Sequence, residues 1–125
     1  ADGALKVHKI TAATNPGHVV NPAQIERQVA GSFVYGLSAM LYGEITVKDG
    51  AVEQTNFDSY NVMRIDEMPQ IEVHIVPSAE APGGIGEPGT VTVQGALNNA
   101  IYAATGIQLS RMPVDTSLLS KSAWR

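Results

Sequence analysis

Asn21-Pro22-Ala23-Gln24-Ile25-Glu26-Arg27-Gln28-Val29-Ala30, followed by GSFVYGLSAMLYG over residues 31–43, is the stretch whose reading decides the fold. Asn is a good helix N-cap, because its side-chain oxygen can take a free N–H of the first turn. Pro at the first helical position loses nothing by lacking an N–H. The pair predicts a helix from Pro22 to about Leu41. Ile25 and Val29 stand four apart, with Gln24, Arg27 and Gln28 elsewhere, so the first two turns are amphipathic. Residues 31–43 carry no charge, and a helix apolar on every side is expected to be buried on every side. Gly31 and Gly36 within it would each cost about 1 kcal/mol relative to Ala. Close packing against other backbone is the expected compensation.

Working outward, Leu5 to Ala13 alternates loosely and is rich in β-formers, so it reads as a strand. Thr14 to Val20 is a loop turning at Asn15-Pro16-Gly17. Downstream, Glu44 to Lys48 and Ala51 to Phe57 flank Asp49-Gly50, which predicts a hairpin with a type I′ turn. Asp58 to Gln70 is irregular. Ile71 to Val76 is a strand with Glu72 and His74 on one face and Ile71, Val73 and Ile75 on the other. Pro77 to Gly89 is a loop holding four of the twelve glycines and three of the seven prolines. Val91 to Thr105 reads as a second helix closed by Gly106 in a left-handed cap, and Gln108 to Val114 as a short last strand. The order β-α-β-β-β-α-β is α+β: two main helices packed on a mixed or antiparallel sheet. Residues 117–125 form a polar tail, apart from Leu118, Leu119 and Trp124, that lies against a neighbour or hangs free.

Composition excludes several function classes. Apolar residues make up 44% of the 125 and charged residues 16%, the balance of a globular chain. Eight Lys and Arg against twelve Asp and Glu give a net charge of -4. Lys6, Lys9, Arg27, Lys48, Arg64, Arg111, Lys121 and Arg125 are scattered, so no nucleic-acid partner is expected. No run of 18 apolar residues occurs, so no membrane span is expected. Without cysteine the chain has no disulfide framework, thiol nucleophile or cluster-holding thiolates of its own. No signal-peptide pattern stands in these residues, and the start at Ala-Asp-Gly suggests a processed chain or a fragment.

Gly84-Ile-Gly86-Glu-Pro-Gly89 matches G-x-G-x-x-G letter for letter, yet its chemistry opposes a dinucleotide. Such a loop offers backbone N–H groups to a pyrophosphate. Glu87 would set a carboxylate among those oxygens, Pro88 removes an N–H, and no acidic residue occurs between Glu87 and Asp115. Two readings remain: a flexible connection, or a rigid loop presenting one carboxylate to a cleft. Gln28 is either a polar residue on a helix surface or an amide aimed at a polar ligand. His8, His18 and His74 lack metal-ligand spacing, and no metal ligand is expected from this chain. Ser32, Ser38 and Ser59 lack a nucleophile elbow.

Three stretches together carry a resemblance. The first is Gly17-His-Val-Val-Asn-Pro22 with Gln28-Val-Ala-Gly31 and Gly36-Leu-Ser-Ala-Met-Leu-Tyr-Gly-Glu-Ile-Thr46. The second is Asn56-Phe-Asp-Ser-Tyr60 with Arg64, Pro69 and Ile71-Glu-Val-His-Ile-Val76. The third is Pro82-Gly-Gly-Ile-Gly-Glu-Pro-Gly89 with Asn99-Ala-Ile-Tyr-Ala-Ala-Thr-Gly106. In this order they resemble the C-terminal end of the large molybdenum-binding subunit of the xanthine oxidase family of molybdenum hydroxylases, in particular the isoquinoline 1-oxidoreductase β-subunit type. The resemblance covers roughly residues 5–114. Two positions depart from the family. Ala30 stands where a Glu precedes the Gly of Gln-x-Glu-Gly, and Val91-Thr-Val-Gln-Gly95 replaces a proline-rich run.

The resemblance implies that residues 1–116 are the last segment of a molybdopterin-binding domain. It implies an oxidoreductase that hydroxylates a carbon of an N-heteroaromatic or aldehyde substrate with water-derived oxygen. Glu87 would be the general base, Gln28 would hydrogen-bond the pterin, and Gly86 would lie beside the metal. The cofactor would be a molybdopterin molybdenum cofactor, in this branch a cytosine dinucleotide. Partners would be the remainder of the large subunit, a small [2Fe-2S] subunit, and an electron acceptor such as cytochrome c. The chain would be active only when joined to the rest. The alternative is a non-catalytic split subunit needed for assembly. A bacterial periplasmic location is expected.

Overall fold

The computed structural model describes residues 3–120. Its elements are β1 (Lys9–Thr14), α1 (Pro22–Tyr42), β2 (Val47–Lys48), β3 (Ala51–Val52), β4 (Gln70–Ile75) and α2 (Pro88–Thr105). Short 3-10 turns stand at Ile65–Glu67 and Thr116–Leu119.

The helix start read from Asn21-Pro22 is observed: Pro22 opens α1, and the Gln24 N–H donates to Asn21 Oδ1 at 3.3 Å. Val29, Phe33, Leu37 and Met40 form the buried stripe of α1, and Val93, Leu97 and Ile101 that of α2. Each stripe recurs at helical spacing, and the two interlock with Met63, Val114 and Leu119 as one core. The helices meet over glycine. A methyl group on Gly36 would stand 2.4 Å from both Thr90 O and Val93 Cγ1, and one on Gly89 would stand 2.0 Å from Ser32 Oγ.

The class is α+β as expected, with the strands divided between two sheets. β1 and β4 pair in parallel, from Lys9 opposite Gln70 to Thr14 opposite Ile75. Parallel neighbours need a long crossover, and α1 with the β2–β3 hairpin supplies it. β2 and β3 pair antiparallel about Asp49 and Gly50, whose φ values of 52° and 80° are those a type I′ turn demands. Only two residue pairs form, so the hairpin is shorter than the alternation suggested.

Other expectations need correction. No strand forms over 108–114: the Val114 N–H donates to Met40 O at 2.9 Å, so this segment pairs with the end of α1, and Pro113 offers no N–H to a ladder. The second helix begins at Pro88, three residues before Val91, with Pro again in the first turn. β1 starts at Lys9, not Leu5. The uncharged half of α1 is not covered on all sides. Gly31, Tyr35 and Ala39 are exposed, and nothing lies within 4 Å of a methyl built on Gly31, so only Gly36 has the close packing expected of both glycines. In the expected tail, Leu119 is buried in the core through the 3-10 turn capped by Asp115, whose carboxylate accepts from the Ser117 N–H and hydroxyl. Residues 121–125 of that tail lie outside the described residues.

Candidate functional site

The loop from β4 to α2 is clamped at its base. The Gly83 N–H donates to Pro16 O at 2.8 Å, and the His18 N–H to Glu80 O at 2.9 Å. Gly17 makes the approach possible. Its φ of 76° favours glycine, and a methyl there would stand 2.3 Å from Ala81 O. Asn15 Oδ1 holds the turn by accepting from the Gly17 N–H at 3.1 Å. Of the two readings of this loop, a slack connection does not match that base.

Its far end is anchored too. The Thr90 hydroxyl donates to Ser32 O at 3.1 Å, and the Ser32 hydroxyl to Val29 O at 2.7 Å. With Gly89 against Ser32, the first turn of α2 is seated on α1. Glu87 sits immediately before, as the N-cap residue of α2. Its backbone oxygen accepts from the Thr90 N–H at 2.9 Å, but its side chain caps nothing. Among the described residues no hydrogen bond or ion pair engages its carboxylate, which is exposed.

Gly86 brings Gln28 to the same place. A methyl on Gly86 would stand 3.1 Å from Gln28 Oε1, tighter than ordinary contact. Gln28 is on the exposed side of α1, one residue before buried Val29, and no protein group among the described residues takes its amide. Thus Gln28, Gly86 and Glu87, 58 and 59 positions apart in the chain for the two crossings, gather at one surface. Sequence reading missed Thr90 and the contacts of Ser32 with Gly89 and Thr90, which hold this surface together. Gly89 and Gly36 were the available signal. Ala30 lines a shallow hollow of about 320 Å³ with Glu26, Arg27, Ile71 and Val73.

The remaining candidates stand apart. His74 Nε2 lies 2.9 Å from Glu72 Oε1, and Lys9 forms an ion pair with the same carboxylate. The hydrogen bond and charge of Lys9 hold Glu72 below its ordinary range. Ser38 Oγ accepts from the Met63 N–H at 3.1 Å, and Ser59 Oγ from the Thr55 N–H at 3.0 Å. Among the described residues no three metal-ligating side chains cluster.

Residues 1–69 match the family described as the molybdopterin cofactor-binding domain. The chain belongs to that family. The match contains Gln28, while Gly86 and Glu87 lie beyond it. The molybdopterin-domain chain is 36% identical over 112 residues to a membrane-bound aldehyde dehydrogenase [pyrroloquinoline-quinone] of Gluconacetobacter polyoxogenes, covering 90% of this chain and 14% of that protein. It is 30% identical over 118 residues to the isoquinoline 1-oxidoreductase subunit beta of Brevundimonas diminuta, covering 94% and 15%. Its fold matches the crystal structure of quinoline 2-oxidoreductase from Pseudomonas putida 86 with a TM-score of 0.73 at 23% identity, covering 96% of this chain and 16% of that one. The resemblance drawn from the sequence is therefore borne out at the level of family and fold. The chain spans about a seventh of the length of these relatives.

The residues present suit a pterin-borne metal. Gln28 offers two donors and an acceptor, none used by the protein among the described residues. Gly86 keeps the space beside it open, since a side chain there would press on Gln28 Oε1.

Proposed function

We propose that this chain is the catalytic segment of a molybdenum hydroxylase, with Glu87 as the general base. The observation that carries this reading is a carboxylate held on a doubly anchored turn, without a protein partner among the described residues, next to the Gly86–Gln28 contact. When bound, the molybdenum cofactor supplies the two-electron oxidation of the substrate carbon. Gln28 holds the pterin through its amide. Gly86 lets backbone come close to it. Glu87 takes a proton from the water-derived oxygen as that oxygen bonds to carbon, for which its carboxylate must come within about 2.6–3.2 Å of the donor. Pro88 restricts the backbone that carries it.

As the resemblance implies, the substrate class is an N-heteroaromatic ring or an aldehyde, the cofactor form a cytosine dinucleotide, and the electron route a [2Fe-2S] partner subunit; without cysteine these 125 residues hold no cluster of their own. The relatives' names support this range: one is an isoquinoline oxidoreductase and another an aldehyde dehydrogenase. The pyrroloquinoline quinone in the latter's name is separated from molybdopterin by cofactor analysis of the purified complex.

The test is Glu87→Gln in the complete complex. The amide keeps shape and reach and removes the proton acceptor. Cofactor loading should be normal, while reduction of the cofactor by substrate in stopped flow slows about 10²–10⁴-fold. A rate per molybdenum within about threefold of wild type, only about 0.65 kcal/mol of barrier, would remove Glu87 from the mechanism. It would favour an assembly role for the chain instead.

A further inference from the structure

We infer that the Thr90 hydroxyl is a positioning group for the reaction: by holding Ser32 it fixes the turn that carries Glu87 against the turn that carries Gln28. The inference rests on the reading of Glu87 as the base. Ser32 is the one buried polar residue among those described, 3% exposed within the apolar stripe of α1. A buried hydroxyl costs free energy unless it is hydrogen-bonded. That of Ser32 is satisfied within its own helix, by Val29 O, and makes no demand on α2. The bond that crosses between the helices is a different one, from the Thr90 hydroxyl to Ser32 O at 3.1 Å. Among the described residues it is the single side-chain hydrogen bond that joins α1 to α2.

The rest of the helix contact is apolar, through Val29, Phe33 and Leu37 of α1 and Val93, Leu97 and Ile101 of α2. Apolar contact is non-directional and by itself tolerates a small slip or rotation of one helix on the other. A hydrogen bond weakens steeply as its angle departs from linear, so the Thr90–Ser32 bond sets the rotation of the first turn of α2. Thr90 is seated from both ends. Its backbone oxygen lies over Gly36, where a methyl group would stand 2.4 Å away, and its hydroxyl holds Ser32 one turn earlier. The first contact limits approach of the helices, and the second limits withdrawal.

The place of this bond gives it a bearing on the reaction. Gln28 and Ser32 stand four apart, on one face of α1. Gly86 meets Gln28, Thr90 meets Ser32, and Glu87 lies in the chain between those two contacts. The Gly86–Gln28 contact is steric and leaves the Gln28 amide to the pterin, so it cannot hold the turn. Alignment of Glu87 therefore falls to Thr90. A base acts only at hydrogen-bond distance, and a misplacement of about 1 Å can cost about 10²-fold. The Thr90 hydroxyl is spent on Ser32 and acts through Glu87.

The experiment compares Thr90→Val, which keeps the branched shape and removes the donor, with Thr90→Ser, which keeps the donor, in the complete complex. Molybdenum content should stay at the wild-type level in both. Reduction by substrate in stopped flow, per molybdenum, should slow about 10- to 100-fold in Thr90→Val. The substrate concentration that gives half the limiting rate should move less than about threefold, and Thr90→Ser should recover most of the rate. In the Glu87→Gln background, Thr90→Val should cost less than about twofold, because no base is left to align. Cofactor-free complex gives a readout without turnover: amide exchange at positions 90 and 91 should be about fivefold faster in Thr90→Val and restored in Thr90→Ser, as expected for one lost hydrogen bond. A normal rate in Thr90→Val, the same cost of Thr90→Val with and without Glu87, failure of Thr90→Ser to recover the rate, or unchanged exchange would each overturn the inference while Glu87 stands as the base. A near-normal rate in Glu87→Gln alone would instead remove the base, and this inference with it.

Discussion

Gly36 and Gly31 lie five residues apart on α1, yet alanine should act in opposite directions at the two. At Gly36 the new methyl meets Thr90 O and Val93 Cγ1, each at 2.4 Å. Comfortable carbon contacts are about 3.5–4.0 Å, so the helices must part by about 1 Å. Overpacking of this kind costs about 1–3 kcal/mol, and the upper part applies because a backbone carbonyl cannot rotate aside. Better helix propensity returns about 1 kcal/mol, leaving a net loss of about 1–2. At Gly31 nothing lies within 4 Å, so the same propensity gain of about 1 kcal/mol stands unopposed. The variants should differ by about 2–3 kcal/mol. Hydrogen exchange of the α1 amides in the complete protein reads local opening directly, and the difference corresponds to about 30- to 160-fold in protection. Because Thr90 is three residues from Glu87, Gly36→Ala should also slow turnover. Protection in Gly36→Ala equal to that in Gly31→Ala would refute the account of the helix crossing.

Gln28→Ala should lower cofactor content several-fold or more, since an unpaired buried polar group costs about 1–3 kcal/mol, while melting stays close to wild type because Gln28 is exposed in the protein itself; unchanged molybdenum content rejects the contact. Tyr42 donates to Glu67, which raises its phenol from 10 to about 12 and, with the Arg64 N–H, lowers Glu67. The stabilisation from Tyr42 is therefore complete below pH 10 and lost as pH rises toward 12, and that from Glu67 is present above 4.5 and lost as pH falls through its lowered value. A tyrosinate difference titration between wild type and Tyr42→Phe checks this, with a midpoint near 10 counting against it. The isolated 125-residue chain should self-associate, because Phe57 and Ile65 are each 92% exposed and an apolar groove beside β1 is open; a sharp 13.2 kDa species in light scattering disproves that.

The parts of the fold legible in sequence were those set by local chemistry. Asn21-Pro22, Asp49-Gly50 and Gly106 each select a backbone state within a few residues, and each is found as read. The alternation of Ile71, Glu72, Val73 and His74 likewise sorted faces correctly, as the Glu72–His74 pair shows. What was not legible depended on distant neighbours. Gln108 to Val114 has strand-like residues, but a strand requires a partner, and Met40 O took the Val114 N–H instead. The uncharged run of α1 could not reveal that Gly31, Tyr35 and Ala39 face outward, because small and aromatic residues do not mark a side. Of the candidate site, the residue types were visible. The clamp from Pro16 and His18 to Glu80 and Gly83 was not, since it joins loops more than sixty residues apart through backbone atoms alone.

The same motif opens both helices, and the difference between its two forms bears on Glu87. In each, a polar residue precedes proline at the first helical position. Asn21 turns its side-chain oxygen back to the Gln24 N–H. In both helices the backbone oxygen of that residue accepts as well, from the Gln24 N–H in α1 and the Thr90 N–H in α2, but the Glu87 carboxylate is left out of the cap. A shorter Asn, Asp or Ser would serve the helix better, by about 1 kcal/mol when such a cap forms. A longer acid at this position forgoes that stabilisation and leaves its carboxylate exposed, with no partner among the described residues. Seating of Gly89 on Ser32 and the Thr90–Ser32 bond then do what the missing cap does not, holding the first turn of α2 in place. A residue kept out of a stabilising local bond, on a turn fixed by other means, is the arrangement expected where the side chain's partner comes from outside the segment.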